Sequence, residues 1–174
     1  MAKIILFEDH RRSLEDGNYR FPAAGISHPV GAGVARGSAV DGTDVLIVRM
    51  YLHAIAGDPE NPLAHLKVRQ SHEELERQHG DTALVERIRL FQRWINSQTE
   101  ARVPTDGRVS VPRSSVYGWT RGMGGRAGRP TPWTIEVMVR EWRRTSLDLG
   151  LKPVLSAHPD CPRLLQAWLR QHGL

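Results

Sequence analysis

The strongest candidate for chemistry in this sequence is a histidine followed by two glutamates. His72-Glu73-Glu74 begins like the zinc-binding motif His-Glu-x-x-His, in which two histidines one helical turn apart bind one metal ion. The second histidine of that motif would stand at position 76, which is Glu76. His79 lies about two helical turns from His72, too far to share a metal ion with it. We therefore predict no metal site, no bound cofactor and a solvated helix face.

The single cysteine, Cys161, follows His158 closely in the chain. A cysteine nucleophile needs a base hydrogen-bonded to the thiol and a third group that orients the base, and neighbours in a proline-bounded loop rarely supply both. One cysteine also makes an internal disulfide impossible and argues against a zinc site built from thiolates. We predict a buried thiol at this position and no catalytic residue in the chain.

Positive charge is concentrated in one part of the chain. The net charge is +5, but residues 101–144 carry nine arginines and three acidic residues, whereas residues 1–100 carry 12 basic and 14 acidic residues. Within the basic segment, residues 121–130 hold four glycines and three arginines but not the lysine of a phosphate-binding Walker loop. A basic segment on a near-neutral body indicates an anionic partner, with Arg121 and Arg126 as candidate ligands. The alternative is a solvated, arginine-rich surface.

Periodic apolar residues and capping residues define the elements that position these groups. Ser71 with Glu74 has the spacing of a capping box. Two apolar runs of helical period follow candidate capping residues, Asp41 or Thr43 for the first run and Asp81 or Thr82 for the second. Glycine and proline interrupt the chain between the runs. The predicted elements are a strand over 3–8, a loop over 21–42, and helices over 44–56, 72–79, 82–97, 114–119 and 134–148, with a last helix after Pro162.

Two of these helices have a well-defined predicted buried face. The helix over 82–97 carries an apolar stripe that includes Phe91, for which we predict a place in the core. The last helix has four candidates for burial. These are Leu164, Leu165, Trp168 and Leu169.

The chain has the length of one domain with a small appendage, and 40% of its residues are hydrophobic, as in a globular protein. Its first apolar run, residues 4–7, is shorter than the roughly 7–15 residues of a signal-peptide core. No stretch approaches the roughly 18 apolar residues of a membrane span. We expect a protein without a membrane span that is made in the cytoplasm without a Sec signal, and whose export would use a specialised route.

Four segments follow one another in an order that is typical of one kind of binding module. They are Val30-Gly31-Ala32-Gly33, then Asp44-Val45 through Leu52, then Asp81-Thr82 through Phe91-Gln92, and then Asp106-Gly107-Arg108-Val109 with Ser114 to Trp119. This order resembles the three-helix peptidoglycan-binding module of bacterial wall hydrolases. The resemblance covers about residues 30–120, roughly half of the chain.

The resemblance implies a fold and a division of the chain. It implies a mainly α protein with a three-helix, peptidoglycan-binding-like core, a short N-terminal β element and extra C-terminal helices. Residues 1–29 correspond to a strand and loop, residues 30–120 to the helical core, and residues 121–174 to a helical extension.

The resemblance also implies a function, which is non-catalytic recognition of peptidoglycan or another anionic polymer of the bacterial cell wall. An aromatic face stacks on a sugar ring, and an arginine fork binds a carboxylate in two places. Family members without signal peptides occur in phage lysis modules and as cargo of contractile, type VI-like secretion systems, which suggests a secretion effector. The expected ligand-binding residues are Asp106, Gly107, Arg108, Trp119, Arg121 and Arg126.

Two other functions remain open at the level of sequence. The arginines of 101–144 could bind nucleic acid, although most lie in predicted loops rather than on a helix that could enter a groove. The chain could also be a wall hydrolase, since Glu8, Asp9 and His10 group two carboxyls with a histidine. The separation of two carboxyl groups, on which glycosidase chemistry depends, cannot be read from sequence.

Overall fold

Helices and two small sheets form the part of the chain that our computed structural model describes, which is residues 2–9, 19–34, 41–57, 62–65, 68–98, 102–111, 116–117 and 133–174. The fold is mainly α, as predicted. The elements are β1 (Lys3–Asp9), β2 (Tyr19–Gly25), β3 (Val30–Gly31), α1 (Gly42–Ile55), α2 (Pro62–His65), α3 (His72–Leu75), α4 (Thr82–Gln98), β4 (Arg108–Val109), β5 (Val116–Tyr117), α5 (Thr134–Asp148), a 3₁₀ turn (Leu155–Ala157) and α6 (Arg163–Gln171).

The first sheet confirms one sequence prediction and corrects another. β1 forms where a strand was predicted, but it pairs antiparallel with β2, inside the segment predicted to be a loop. Phe21-Pro22 suggested a loop because proline cannot donate a hydrogen bond to a neighbouring strand. The strand order β2-β1-β5 makes β2 an edge strand, and Pro22 is tolerated there.

A helix was predicted over 114–119, and the structure describes two of its residues. At both of them the prediction is wrong. Val116 and Tyr117 form β5, which pairs parallel with Leu6 and Phe7 of β1. A β-branched and an aromatic residue suit a strand, and here the pairing with β1 decides the conformation. The rest of that predicted helix lies outside the described residues.

Helix α1 is the central element of the fold. The Asp41 side chain accepts a hydrogen bond from the Thr43 N–H at 3.0 Å, which confirms the predicted cap. Residues 44–55 are all buried, because α4, α5, α6, β2 and β3 contact the helix from several sides. The sequence predicted a helix with one apolar face, whereas the structure buries every face.

Helices α4 and α5 form close to where the sequence predicted them and bury the expected faces. Phe91 has no exposed surface and contacts the ring of Trp94, with 6.0 Å between the ring centroids. Met138 and Trp142 of α5 are buried as well. One apolar cluster joins these residues to β1, β2, α1 and α6.

The prediction for the last helix is partly wrong. Pro162 immediately precedes α6, and Leu165 and Leu169 are fully buried one turn apart. Leu164, predicted to be buried, is 57% exposed, and Trp168 is only partly buried. α6 therefore contributes a narrow stripe to the core, because its next face is turned toward solvent.

A fully buried arginine, Arg49, holds the connection between α1 and α4. Its guanidinium donates to Gln70 Oε1 at 2.8 Å and to Asp81 Oδ2 at 2.9 Å. It also donates to the backbone carbonyls of Arg77 and His79, both at 3.1 Å. We call this network the arginine hub. Every polar group in it is satisfied within the fold, so the hub serves the structure.

The short helix α3 lies within this connection. The Ser71 hydroxyl accepts from the Glu74 N–H, and the Glu74 carboxylate accepts from the Ser71 N–H at 2.9 Å, which confirms the predicted capping box. The helix ends at Leu75, several residues earlier than predicted, and Leu75 is its buried residue.

Candidate functional site

The Asp-Gly turn between α4 and β4 has a backbone that requires glycine. Gly107 has a φ of +75°, in the left-handed region. A Cβ at this position would lie 2.9 Å from Cγ1 of Val85 and 3.0 Å from Cγ of Arg89. The Asp106 carboxylate accepts from the Arg108 N–H at 2.9 Å and closes the turn. The turn therefore packs its backbone on α4 while its side chains project outward.

A buried glutamine, Gln92, fixes this turn to α4. Its Oε1 accepts from the Gly107 N–H at 2.9 Å. Its Nε2 donates to the Arg108 carbonyl at 3.0 Å, with Asp106 Oδ1 at 3.3 Å and Thr134 Oγ1 at 3.2 Å. One amide thereby joins the turn to the start of α5. In the sequence, Phe91-Gln92 is part of the pattern that carries the resemblance, but the pattern predicts no role for Gln92.

The glycine-rich segment before α1 completes the unit. Gly31 pairs antiparallel with Arg108, and the Ala32 N–H donates to the Gly107 carbonyl at 2.9 Å. Gly31 has a φ of +106°, and a Cβ there would lie 2.2 Å from the Gly107 carbonyl oxygen. We call residues 30–33 and 106–109, with Gln92, the turn unit.

The turn unit presents a guanidinium and a carboxylate. Asp106 is exposed, and Arg108 is half-buried beside the exposed Gly33. A Cβ at Gly33 would lie 3.5 Å from Nη1 of Arg108, so glycine at this position leaves that side of the guanidinium without a side chain from residue 33. The Nε of Arg108 is buried and has no hydrogen-bond partner among the described residues. These groups could bind a carboxylate and a hydroxyl of a ligand.

An exposed tryptophan, Trp133, lies next to this unit. It directly precedes Thr134, whose hydroxyl accepts from Gln92, and it is 38% exposed. An exposed aromatic ring is a surface on which a sugar can stack. The resemblance pointed to Trp119 for this role and not to Trp133, although Trp133 stands just before an amphipathic helix.

A carboxyl group with a raised pKa also lies at the start of α5. Burial raises the pKa of Glu136 to about 7, while a hydrogen bond from the Trp133 N–H to the carboxylate, at 2.9 Å, acts in the opposite direction. Glu136 therefore changes its charge near neutral pH, one helical turn from the exposed tryptophan.

The sequence-predicted site residues divide into two groups. The structure brings Asp106, Gly107 and Arg108 together in the turn unit. Trp119, Arg121 and Arg126 lie outside the described residues, as do all of residues 121–130 and His10.

A histidine–aspartate pair links α1 to the segment before α6. His53 Nε2 lies 3.0 Å from Asp160 Oδ2, and His53 Nδ1 accepts from the Gln70 N–H at 3.3 Å. An Nδ1 that accepts leaves the proton on Nε2, so His53 donates to Asp160. This hydrogen bond lowers the pKa of Asp160. Both ring nitrogens are thus engaged within the fold.

The predicted buried thiol is confirmed. Cys161 is buried, and burial raises the pKa of its thiol to about 12. At neutral pH the group is a thiol rather than a thiolate, and thiols are poor nucleophiles. His158, its neighbour in sequence, instead meets the edge of the His53 ring, with 5.7 Å between the ring centroids.

A second histidine–carboxylate pair holds the loop between β2 and β3. Asp44 is fully buried and accepts from the Ser27 N–H at 3.0 Å and the His28 N–H at 2.9 Å. Nδ1 of the His28 ring also lies 2.9 Å from Asp44 Oδ2. Backbone donors occupy most of this carboxylate, so it orders the loop that leads into the turn unit.

Comparison with protein-family models, with curated proteins and with solved structures found no match to this chain. Among the described residues, no group of three or more His, Cys, Asp and Glu side chains is placed to hold a metal ion. No helix in the same part of the chain is long and apolar enough to cross a membrane.

Proposed function

We propose that this protein is a non-catalytic binding module for bacterial cell-wall polymer, and that the turn unit forms part of its ligand surface. One observation carries the proposal. The glycine-rich segment, the helix with Phe91-Gln92 and the Asp-Gly turn, on which the resemblance to peptidoglycan-binding modules rests, are joined by hydrogen bonds into a single unit. A chance occurrence of three short patterns would not require them to be in contact.

The chemistry of the surface supports a sugar–peptide ligand. Arg108 supplies a cation for a carboxylate, Asp106 supplies acceptors for hydroxyls, and Trp133 supplies an aromatic face. Gly33 leaves room beside the guanidinium. A polymer of acetylated sugars with acidic peptides has a partner for each of these groups.

Three clusters of described titratable groups, to which Glu136 does not belong, favour binding over catalysis. The arginine hub, the His53–Asp160 pair and Asp44 each have their polar atoms engaged within the fold. Groups held in this way stabilise the structure, and a catalytic role would require them to exchange those partners for substrate.

Sedimentation with purified peptidoglycan tests the proposal. We expect the wild-type protein to sediment, Arg108→Ala to bind about tenfold more weakly and Trp133→Ala several-fold more weakly. Arg163→Ala is the matched control, because Arg163 is an exposed arginine on α6. Trp119→Ala tests the residue chosen from the resemblance. Circular dichroism of each variant separates loss of a ligand contact from loss of the fold.

The same experiment distinguishes the two other functions. Wild-type protein that stays in the supernatant with peptidoglycan but binds DNA at low salt would overturn the proposal in favour of nucleic acid. Release of soluble wall fragments with time would instead make the protein a hydrolase.

The arrangement of α5 weighs against nucleic-acid binding by that helix. Arg144 donates to Glu141 at 2.9 Å and to Asp148 at 3.0 Å, and the guanidinium of Arg143 lies 4.0 Å from the centre of the Phe21 ring. A helix that enters a DNA groove presents its cations to phosphates and bases. These arginines are used in contacts within the protein.

A further inference from the structure

The short turn before α6, residues 158–161, is held by a hydrogen bond that requires a neutral histidine. The Cys161 N–H donates to the His158 carbonyl at 3.0 Å, which closes the turn. The Asp160 N–H donates to Nδ1 of the His158 ring at 3.2 Å. This bond resembles an Asx turn, in which a side-chain atom accepts from the backbone two residues further on. A ring nitrogen that accepts carries no proton, so the His158 ring is neutral, with its proton on Nε2.

The Asp160 side chain joins this turn to α1. Its carboxylate accepts from His53 Nε2 at 3.0 Å, and His53 Nδ1 accepts from the Gln70 N–H at 3.3 Å. The His158 ring meets the His53 ring edge-on, at an interplanar angle of 79°. One imidazole therefore positions the backbone of Asp160, and the other holds its side chain. We call residues 158–161 with His53 the histidine latch.

Protonation of His158 would act on the latch at a defined atom. The added proton goes to Nδ1, the nitrogen that accepts from Asp160, and two N–H groups would then face each other. The bond is lost, and the positively charged ring is left beside His53. His158 is partly exposed, so solvent can reach it, whereas His53 is only 3% exposed.

The surroundings of His158 favour its neutral form. Burial lowers the pKa of His158 from its ordinary value of 6.5. The His53 ring on α1 and the Arg69 guanidinium between α2 and α3 act in the same direction, while the Asp160 carboxylate acts against them. The folded state therefore binds this proton more weakly than the unfolded state does. The stability that a neutral His158 contributes is present above pH 6.5 and is lost as pH falls through the folded pKa.

The single cysteine lies in the latch and can report on it. Cys161, the last residue of the turn, is 9% exposed while the turn is closed. Glu76 and Arg170 are the charged groups that act on its thiol. Because His158 helps to hold the turn that contains Cys161, opening of the latch is expected to expose the thiol.

We propose that residues 158–161 form an acid-sensitive latch, in which protonation of His158 releases Asp160 from His53 and opens the segment before α6. The latch is a regulatory device of the fold, and the proposal does not depend on wall binding.

Labelling of Cys161 in the full chain tests the latch, with dithiodipyridine as the thiol reagent. The labelling rate at each pH is divided by the rate for a short unfolded peptide with the same cysteine, which removes the effect of pH on the thiolate fraction. For the wild-type protein we expect this ratio to rise several-fold from pH 8 to pH 5. A ratio that does not rise would overturn the proposal.

Two substitutions of His158 separate protonation from loss of the ring. His158→Asn keeps an acceptor for the Asp160 N–H, as in an Asx turn, but gains no proton in this pH range, so its ratio should stay low at both pH values. His158→Ala removes the acceptor, so its ratio should be high at both. A rise in His158→Asn as large as in the wild-type protein would overturn the proposal, because another group would then open the turn.

His172→Asn is the matched control. His172 is an exposed histidine at the end of α6, and its Nδ1 donates to the Trp168 carbonyl at 2.8 Å, a bond that a protonated ring retains. We expect this variant to follow the wild-type protein, and loss of the rise here too would remove the assignment to His158. Circular dichroism at pH 5 monitors the whole fold. A rise in labelling that occurs only together with loss of that signal would reflect global unfolding and count against the latch.

Discussion

Two regions of this molecule each place an arginine near an aspartate, with opposite consequences. In the arginine hub, Arg49 is fully buried and donates to Asp81, to Gln70 and to two backbone carbonyls. In the turn unit, Asp106 accepts from the backbone of Arg108, and the guanidinium itself lies beside the exposed Gly33. The hub uses its charge to hold a connection, whereas the turn unit uses glycines and Gln92 for that purpose and leaves its charge at the surface.

In the turn unit, unlike the arginine hub, the binding surface is separate from most of the groups that stabilise it. The turn is held by backbone N–H and C=O groups, by one buried amide and by the Asp106 carboxylate. The Arg108 side chain makes none of these bonds and can therefore change without loss of the fold. The hub has no such separation, because the same guanidinium supplies both the charge and the hydrogen bonds.

The largest expected effect is at the hub. We predict that Arg49→Met lowers the free energy of unfolding by about 3–5 kcal/mol, because Asp81 loses its ion pair and three acceptors lose a buried donor. Arg108→Ala should lower it by less than about 1 kcal/mol. Urea denaturation of both variants measures the difference, and equal losses would remove the distinction between the two regions.

The next effect is at the glycines of the turn unit. Gly107→Ala forces a Cβ into the left-handed region and against α4, and we expect it to destabilise the protein by about 1–3 kcal/mol and to weaken peptidoglycan binding. Gly80→Ala is the matched control, since a Cβ there would meet nothing within 4 Å. Thermal unfolding of both variants gives the comparison, and a Gly107→Ala protein as stable as the control would show that the turn tolerates a side chain.

A third prediction concerns Glu136 at the edge of the turn unit. Its pKa is raised from 4.5 to about 7, so the folded state binds the proton more tightly than the unfolded state does. Stability is therefore lost as pH rises from the unfolded value through the folded value. We expect the wild-type protein to lose more stability than Glu136→Gln between pH 5 and pH 8 in urea denaturation. Parallel pH profiles of the two proteins would contradict this assignment.

The smallest expected effect is at Asp160, the partner of His53. His53 is joined to the arginine hub because Gln70 is bonded to both Arg49 and His53. The pKa of Asp160 is below its ordinary value of 3.8, so its contribution is present above that value and is lost as pH falls through the folded pKa. Asp160→Asn should cost less than about 1 kcal/mol at pH 6, because the Asp160 side chain is 42% exposed. The difference should shrink as the pH of the unfolding measurement falls through the folded pKa, and a difference that stays constant as the pH is lowered would have another cause.

The sequence predicted the elements that depend on local signals. The helices α1, α4 and α5 have periodic apolar residues within one segment, α1 and α4 also have an aspartate that caps them, and each forms close to its predicted bounds. Strand β2 and the pair Val116–Tyr117 depend on pairing with β1, and both were predicted wrongly; β2 follows β1 closely in the chain, whereas Val116 pairs with the distant Leu6. Local propensity carries little information about such partners.

The candidate site was predictable in part for the same reason. Asp106 and Gly107 are a recognisable turn, but the contact between Gly31 and Gly107 joins residues far apart in sequence. Gln92 could have been singled out from the sequence, since it is a polar residue one turn after Ile88 on the apolar stripe of α4. The His53–Asp160 pair left none, since no spacing relates its members.

The same His53–Asp160 pair has a consequence for how the protein folds while it is synthesised on the ribosome. Asp160 follows His53 by 107 residues, which a ribosome adds in roughly 5–20 s. Strands β2 and β3 are made before α1 and helix α4 soon after it, but α5 and α6 come late in the chain. The faces of α1 that α5 and α6 cover therefore stay open during synthesis until these two helices are made.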